Sequence, residues 1–323
     1  MHHQQLNLKV PMKLVINIPC LNEEKTLPLV LQEMPKSIPG VDKIIVQVVD
    51  DGSTDGTSEV AEKFGCRVIK HKSNYGLGVA FKSGMEAALE DGADIMVNTD
   101  ADNQYPSRYI PDLIRPIIEK RADLVVGDRQ TWKVKHFSIV KRFLQWFGSA
   151  TVRMFTQTDV RDTVSGFRAY SRESLLRLNV TTRFSYVLDT IMQCAKKNLK
   201  IESVKITTNE PTRESRLFKN MFQHIRKSGL NLLKVYVIYH PLPTFLLLAL
   251  VFFLPSFILI IRYLYFFFTV SGEGHIQSLI AATILFITAV LMFMMGIISD
   301  LVRTNRELVE EQLYLQKIQR YSK

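Results

Sequence analysis

Asp100 and Asp102 stand one residue apart at the close of the apolar run 93–99, and Gln104 lies two residues further on. Two carboxylates at the end of a buried strand are a poor way to build a core. Side chains two apart on an extended strand share a face, and two hard oxygen ligands suit Mg2+ or Mn2+, which keeps open positions for phosphate oxygens and water. A cation held there neutralises charge on a departing diphosphate, so the pair points to chemistry on a nucleotide-activated substrate. Taken alone, the triplet has a plainer alternative as a solvated acidic turn.

A second acidic turn, Asp50-Asp51-Gly52-Ser53-Thr54-Asp55-Gly56-Thr57, joins a buried strand to a helix start. A carboxylate there can accept from a base N–H or from ribose hydroxyls, and the glycine lets a nucleotide approach closely. The same residues also make an ordinary Asp/Gly turn with an N-cap, and both readings hold together.

These groups need a scaffold, and residues 13–209 alternate short β-rich runs with amphipathic helical stretches. That pattern predicts an α/β fold: a mostly parallel, Rossmann-like sheet with helices on both faces. Strands are expected at 14–18, 44–49, 66–70, 95–98 and 124–127, and helices at 23–34 (after Asn22 as N-cap), 56–64 and 78–90. Ligands of such sheets sit at the carboxyl ends of the strands. Pro19 to Glu24, Asp50 to Ser53, Asn74-Tyr75-Gly76 and Asp100 to Asp102 all fall there, so four polar loops form one cleft.

Beyond Pro241 the composition changes. Residues 244–261 are apolar apart from Ser256, and residues 279–298 carry no charge, so each stretch approaches the roughly 20 residues that cross a bilayer core. Two transmembrane helices are expected, at about 243–265 and 276–299, with an aromatic belt at 263–268 and a kink at Pro255. Arg226, Lys227 and Lys234 precede the first, Arg303 and Arg306 follow the second, and the connecting loop has no Lys or Arg. By the positive-inside rule both flanking regions are cytoplasmic; Arg262 near the outer end counts against this unless it snorkels.

The expected organisation is a flexible leader (1–12), a catalytic domain (13–212), juxtamembrane amphipathic helices (213–242), the two spans, and a C-terminal helix (300–323). Leu217, Phe218, Met221 and Phe222 interleave with Arg216, Lys219 and Arg226, the pattern of a helix in the headgroup layer. Leu301, Leu308 and Leu315 are spaced by sevens, as in a short coiled coil that would make a homo-oligomer, but three positions do not decide it. The polar opening lacks the apolar core of a signal peptide. Cys20, Cys66 and Cys194 have no metal-ligand spacing, which argues against a zinc site or a disulfide framework. The net charge of +10, from 41 basic and 31 acidic residues, fits an anionic membrane surface or substrate; no nucleic-acid-binding motif accompanies it.

With Pro19, Asn22 and Glu23 opening the cleft, Asp50 to Ser53 forming the turn, Asp100/Asp102/Gln104 after the fourth strand and Ser165-Gly166-Phe167-Arg168 beyond, the chain resembles an inverting family 2 glycosyltransferase with a GT-A fold. It is most similar to polyprenyl-phosphate glycosyltransferases of the dolichol-phosphate mannose synthase type. The resemblance spans nearly the whole chain. It implies a nucleotide-sugar donor, a polyprenyl-phosphate acceptor and a bound Mg2+ or Mn2+ at Asp100, Asp102 and Gln104. Pro19, Glu23 and Asp51 are then expected to face the nucleotide, with Leu21, Asn22, Asp50, Ser53, Asn74, Gly76, Asp100 and Ala101 along the same rim.

A lipid phosphate needs cations, and guanidinium forks match phosphate bidentately. By the same resemblance Arg129, Arg161, Ser165 and Arg216 are expected at the acceptor phosphate. A phosphate monoester is already ionised near neutral pH, so a general base is dispensable, and Asp162 reads as an organiser of Arg129 or Arg168. Asp102, Arg129, Arg161, Asp162, Ser165 and Arg168 make up the expected catalytic set. In-line attack would turn an α-linked donor into a β-linked lipid product.

Among donors, UDP-glucose is favoured over GDP-mannose, because bacterial enzymes that glucosylate undecaprenyl phosphate resemble this two-span layout; a bacterial inner membrane follows by the same analogy. A processive polysaccharide synthase would carry a Gln-x-x-Arg-Trp signature, and Phe143-Leu144-Gln145-Trp146 does not match it. A non-catalytic nucleotide-sugar sensor is the other alternative, against which the intact acidic pair argues.

Overall fold

The computed structural model describes residues 11–130, 160–183, 186–210, 236–238, 240–269 and 276–322. The amphipathic stretch 213–235 and Arg216 lie outside them. The chain divides into two units, one made of Met1–Asn220 with Leu313–Lys323 and the other of Met221–Gln312.

The first unit is built on a seven-stranded sheet. Its strands are β1 (Lys13–Cys20), β2 (Lys43–Asp50), β3 (Arg67–Lys70), β4 (Ile95–Asn98), β5 (Leu124–Asp128), β6 (Arg168–Ser171) and β7 (Ile201–Lys205), in the order β3-β2-β1-β4-β6-β5-β7. Every pairing is parallel except those of β6, which runs antiparallel to both neighbours. The five expected strands are present. Strands β6 and β7 extend the sheet beyond them.

The central strands are buried on both faces, so they read as apolar runs such as Leu14-Val15-Ile16 rather than as alternations. Among the described residues, the domain's α-helices are α1 (Leu27–Gln32), α2 (Thr57–Lys63), α3 (Leu77–Glu90), α4 (Ile110–Ile118), α5 (Arg172–Arg177) and α6 (Val187–Lys196). One core joins Leu14, Ile16 and Ile18 of β1 to Leu27, Val30 and Leu113 on the helices. Each such side chain contributes about 1.5–3 kcal/mol by leaving water.

Helix α1 is shorter than the expected 23–34. Asn22 is not its N-cap: its backbone is left-handed, with φ +55°, and Pro28 sits in the first turn, where its missing N–H costs nothing.

Among the described residues, the second unit contains α7 (Pro241–Thr269) and most of α8 (Ile276–Tyr321), both long and apolar enough to cross a bilayer. Their outward leucines, isoleucines and phenylalanines are exposed, whereas Ala249, Ser256, Ala282 and Ala289 are buried. Ala249 and Ser256 are seven apart, as are Ala282, Ala289 and Gly296, so small residues let the two backbones approach. The Ser256 hydroxyl donates to the Ala282 carbonyl at 2.8 Å. These features are those of a membrane protein. Helix α8 continues well past the expected end of the span.

Within the first unit, the segment 313–322 packs on the catalytic domain. Tyr314 OH donates to Glu173 at 2.9 Å, Lys317 Nζ to the Leu178 carbonyl at 2.6 Å, and Arg172 Nη2 to the Tyr321 carbonyl at 2.5 Å. Burial lowers the Lys317 ammonium to about 8.

Candidate active site

Parallel register sets the first half of the site. Cys20 lies opposite Asp50, so β1 and β2 end flush and release their loops side by side. The loops are laced together: Asn22 N–H donates to Ser53 Oγ at 2.9 Å, Asn22 Oδ1 accepts from Thr54 N–H at 2.8 Å, and Glu23 N–H donates to Thr57 Oγ1 at 2.9 Å. Pro19 and Glu23 are buried, and Leu21, Asn22 and Ser53 are half-buried.

The two aspartates of the turn have different tasks. Asp50 turns inward, accepting from Ser53 N–H at 2.7 Å and from the Ser58 hydroxyl. Burial pushes its carboxyl up, but the Ser53 and Ser58 hydrogen bonds outweigh this and hold it below the usual carboxylate range. Asp51 reaches across to the loop after β3. It accepts from Tyr75 N–H at 3.0 Å and Gly76 N–H at 2.8 Å, and its Oδ1 lies 2.7 Å from His71 Nδ1. The other ring nitrogen of His71 lies 2.9 Å from Ser83 Oγ, so a Ser83–His71–Asp51 chain fixes the carboxylate. His71 was not among the residues expected from the sequence; it lies three positions before the Asn74-Tyr75-Gly76 loop and belongs to no motif.

Gly52 has φ +79°, and a Cβ there would sit 2.7 Å from Asn74 N, so the turn and the Asn74 loop meet through a position only glycine fills. Asn74 itself is exposed and Gly76 half-buried.

Antiparallel register sets the second half. In the β4–β6 pair Asn98 faces Arg168, so continuing both chains by two residues brings Asp100 to Gly166. A Cβ on Gly166 would lie 3.0 and 3.1 Å from the two oxygens of Asp100. The acidic triplet and the Ser-Gly-Phe-Arg segment thus share one wall. The triplet lies in a turn beyond β4, not on extended strand, so the turn rather than strand pleat aims the two carboxylates. Gln104 N–H donates to Asp102 Oδ1 at 3.1 Å. Ala101 is buried, and Asp100, Asp102 and Gln104 are half-buried.

Gly166 is gripped from three sides. Its N–H donates to Tyr105 OH at 3.2 Å, and its carbonyl accepts from Asn98 Nδ2 and Tyr186 OH, each at 3.3 Å. Burial raises the Tyr105 phenol to about 12, so it remains a neutral hydroxyl. Tyr105 directly follows Gln104 in the sequence, a signal the motif left unused.

Arg129 and Asp162 form a bidentate pair, Nε–Oδ2 2.6 Å and Nη2–Oδ1 2.8 Å, with both residues buried. Burial disfavours the charged guanidinium, but Asp162 outweighs it and raises Arg129 above its ordinary value. Arg168, expected in the catalytic set, has its guanidinium wholly buried, with bonds to the Ser165, Thr163 and Val187 carbonyls and to Thr190 Oγ1. It organises the loop from behind. Arg161 is exposed on the same segment, and Ser165 Oγ is buried with no hydrogen-bond partner among the described residues.

Among the described residues no three His, Cys, Asp or Glu side chains cluster to cage a metal ion. Two carboxylates with room for diphosphate oxygens and water fit Mg2+ or Mn2+ better than a closed cage would.

Residues 15–178 match the model of glycosyl transferase family 2. The chain belongs to that family. This glycosyltransferase is 30% identical over 207 residues to the undecaprenyl-phosphate mannosyltransferase of Micrococcus luteus, covering 61% of the chain and 83% of the relative. It is 30% identical over 196 residues to the dolichyl-phosphate hexose transferase of Haloferax volcanii, covering 61% and 82%. Its fold resembles that of glucosyl-3-phosphoglycerate synthase from Mycobacterium tuberculosis, solved with Mn2+, UDP-glucose and phosphoglyceric acid, with a TM-score of 0.54 at 24% identity over 68% of this chain and 79% of that one. The common architecture is the GT-A fold.

Proposed function

We propose that the protein transfers a sugar from a nucleotide donor to a polyprenyl phosphate at a membrane surface, with inversion at the anomeric carbon. The observation that carries this reading is the meeting of Asp100 with Gly166, which sets the carboxylate pair against the loop of Arg161, Asp162 and Ser165. A donor diphosphate at the first and an acceptor phosphate at the second would share one reacting carbon. The relatives that act on undecaprenyl and dolichyl phosphates, and two helices apolar enough to span a bilayer, support a lipid acceptor.

Asp100, Asp102 and Gln104 would hold Mg2+ or Mn2+, which supplies charge neutralisation at the leaving diphosphate. Asp51, held by His71 and the Tyr75 and Gly76 amides, would accept from the base, with Pro19, Leu21, Asn22, Glu23, Asp50, Ser53, Asn74 and Ala101 around it. Arg129, kept cationic by Asp162, and Arg161 at the exposed rim would bind the lipid phosphate beside the unpartnered Ser165 hydroxyl. Arg216 belongs to the same proposed set and lies outside the described residues. An oxygen of the ionised lipid phosphate attacks the anomeric carbon while the bond to the diphosphate breaks and its electron pair leaves with the diphosphate. No side chain has to remove a proton.

The donor we propose is UDP-glucose, supported by the resemblance of the two-span layout to bacterial undecaprenyl-phosphate glucosyltransferases. GDP-mannose is the second reading, favoured by the mannosyltransferase from Micrococcus luteus. The packing of segment 313–322 on the catalytic domain supports one side of the membrane for both, the Lys/Arg distribution supports a cytoplasmic side, and the analogy with bacterial undecaprenyl-phosphate glucosyltransferases supports a bacterial inner membrane. The test is turnover by the purified full chain with Mn2+, a short polyprenyl phosphate and, in turn, UDP-glucose, UDP-galactose, UDP-N-acetylglucosamine and GDP-mannose. A glycolipid from UDP-glucose is expected; a glycolipid from GDP-mannose alone moves the donor, and metal-dependent nucleotide binding without glycolipid leaves only a sensor.

A further inference from the structure

After β7 the chain crosses the loop that carries Asp102 and Gln104. Ile206 N–H still reaches the Asp128 carbonyl at 2.9 Å, and Thr207 Oγ1 lies 2.9 Å from Tyr109 OH and accepts from Arg108 Nη2 at 3.3 Å. Asn209 then makes two bonds to consecutive residues of the acidic loop. Its backbone N–H donates to the Gln104 carbonyl at 3.0 Å, and its side-chain Nδ2 donates to the Asn103 carbonyl at 2.9 Å. The amide orientation follows from the partner, because Oδ1 in that place would face another oxygen.

The loop needs such a partner. Asn103 has the left-handed φ of +57°, and no helix or strand ladder holds residues 101–104. From inside, Asp102 Oδ1 takes the Gln104 N–H at 3.1 Å. From outside, Asn209 takes the next two outward carbonyls. The loop is therefore closed between the carboxylate that would meet the cation and a residue 106 positions beyond Asn103, on the segment that leads towards the membrane helices.

We infer that Asn209 is a positioning residue for the divalent cation: by fixing the Asn103 and Gln104 carbonyls it presents Asp102 and Gln104 in one geometry before the cation arrives. This rests on the reading of Asp100 and Asp102 as the metal-holding pair. A metal site preorganised in this way binds its ion without first ordering the loop, so loss of the clip shows in metal affinity more than in nucleotide affinity.

The experiment uses the full chain in detergent. Mn2+ binding in the presence of UDP is read from loss of the free-ion electron paramagnetic resonance signal, UDP binding is read separately in EDTA, and both are repeated with GDP. In Asn209→Ala the Mn2+ concentration for half-occupancy should rise about threefold to tenfold, the size of one lost hydrogen bond, while nucleotide binding in EDTA and the unfolding temperature without metal hold. Asn209→Gln, which keeps an amide donor on a longer arm, should recover part of the shift. Thr207→Val, which loses the bonds to Tyr109 and Arg108 but none to the loop, should leave Mn2+ affinity unchanged. Unchanged Mn2+ affinity in Asn209→Ala, or an equal shift in Thr207→Val, overturns the inference. Wild-type protein that takes up no Mn2+ with either nucleotide overturns the functional reading itself, and the inference falls with it.

Discussion

Asp162 takes the guanidinium of Arg129 through both carboxylate oxygens, at 2.6 and 2.8 Å, and both residues are buried, Arg129 8% and Asp162 2% exposed. A carboxylate so engaged is badly placed to collect a proton. Removing one member of a buried pair leaves the other charged and unmatched, which costs about 3–5 kcal/mol. Asp162→Ala should therefore lower the unfolding temperature, with Asp162→Asn, which keeps one acceptor, between it and wild type. In Asp162→Asn the KM for lipid phosphate should rise more than that for the donor. Loss of turnover with both KM values and folding intact would make Asp162 a base instead.

Asp102→Ala should abolish metal-dependent turnover while leaving the two apolar helices folded. The checks are the rate across a Mn2+ series and the helical circular dichroism signal in detergent. Near-normal rates would remove the carboxylate pair from the mechanism.

Gly166→Ala tests the meeting of the two loops. The new methyl group would sit 3.0 Å from Asp100 Oδ1, tighter than ordinary carbon–oxygen contact, so the loop or the carboxylate must shift by tenths of an ångström. Turnover should fall by about two orders of magnitude, as expected for a misplacement near the reacting groups, with only a small change in unfolding temperature. Wild-type turnover in this variant would mean that the two loops act independently.

Asp50 supplies a pH signature. Its folded-state carboxyl lies below the ordinary value, so the stabilisation it provides is present above about pH 4 and is lost as pH falls through the lowered value. The unfolding temperature of Asp50→Asn should be lower than wild type at neutral pH, and the gap should close in acid. A gap that widens as pH falls contradicts the assignment of Ser53 and Ser58 as its stabilising partners.

The first five strands are legible because each is a short apolar run closed by a polar turn, as in Ile95 to Asn98 before Thr99 and Asp100. Strand β6 is not: Arg168-Ala169-Tyr170-Ser171 holds a wholly buried arginine, and only the carbonyls of residues 163–187 that receive its guanidinium make such a strand tolerable. Strand β7, at the edge of the sheet, alternates without a strong apolar face. The acidic residues of the site could be found because motifs concentrate at strand ends. Their supports, namely His71, Tyr105, Asn98 and Asn209, are scattered through the sequence, and only the register that brings β4 beside β6 and the exit of β7 over the acidic loop gathers them.

Tyr314, Lys317 and Tyr321 lie in the last turns of α8, beyond both apolar stretches, yet they pack on the catalytic domain at Glu173, Leu178 and Arg172. A ribosome therefore makes this part of the domain only after both apolar stretches have been synthesised. Maturation of the enzyme is tied by chain order to the synthesis of its anchor, and a polypeptide stalled within the first helix would lack one face of its own catalytic domain.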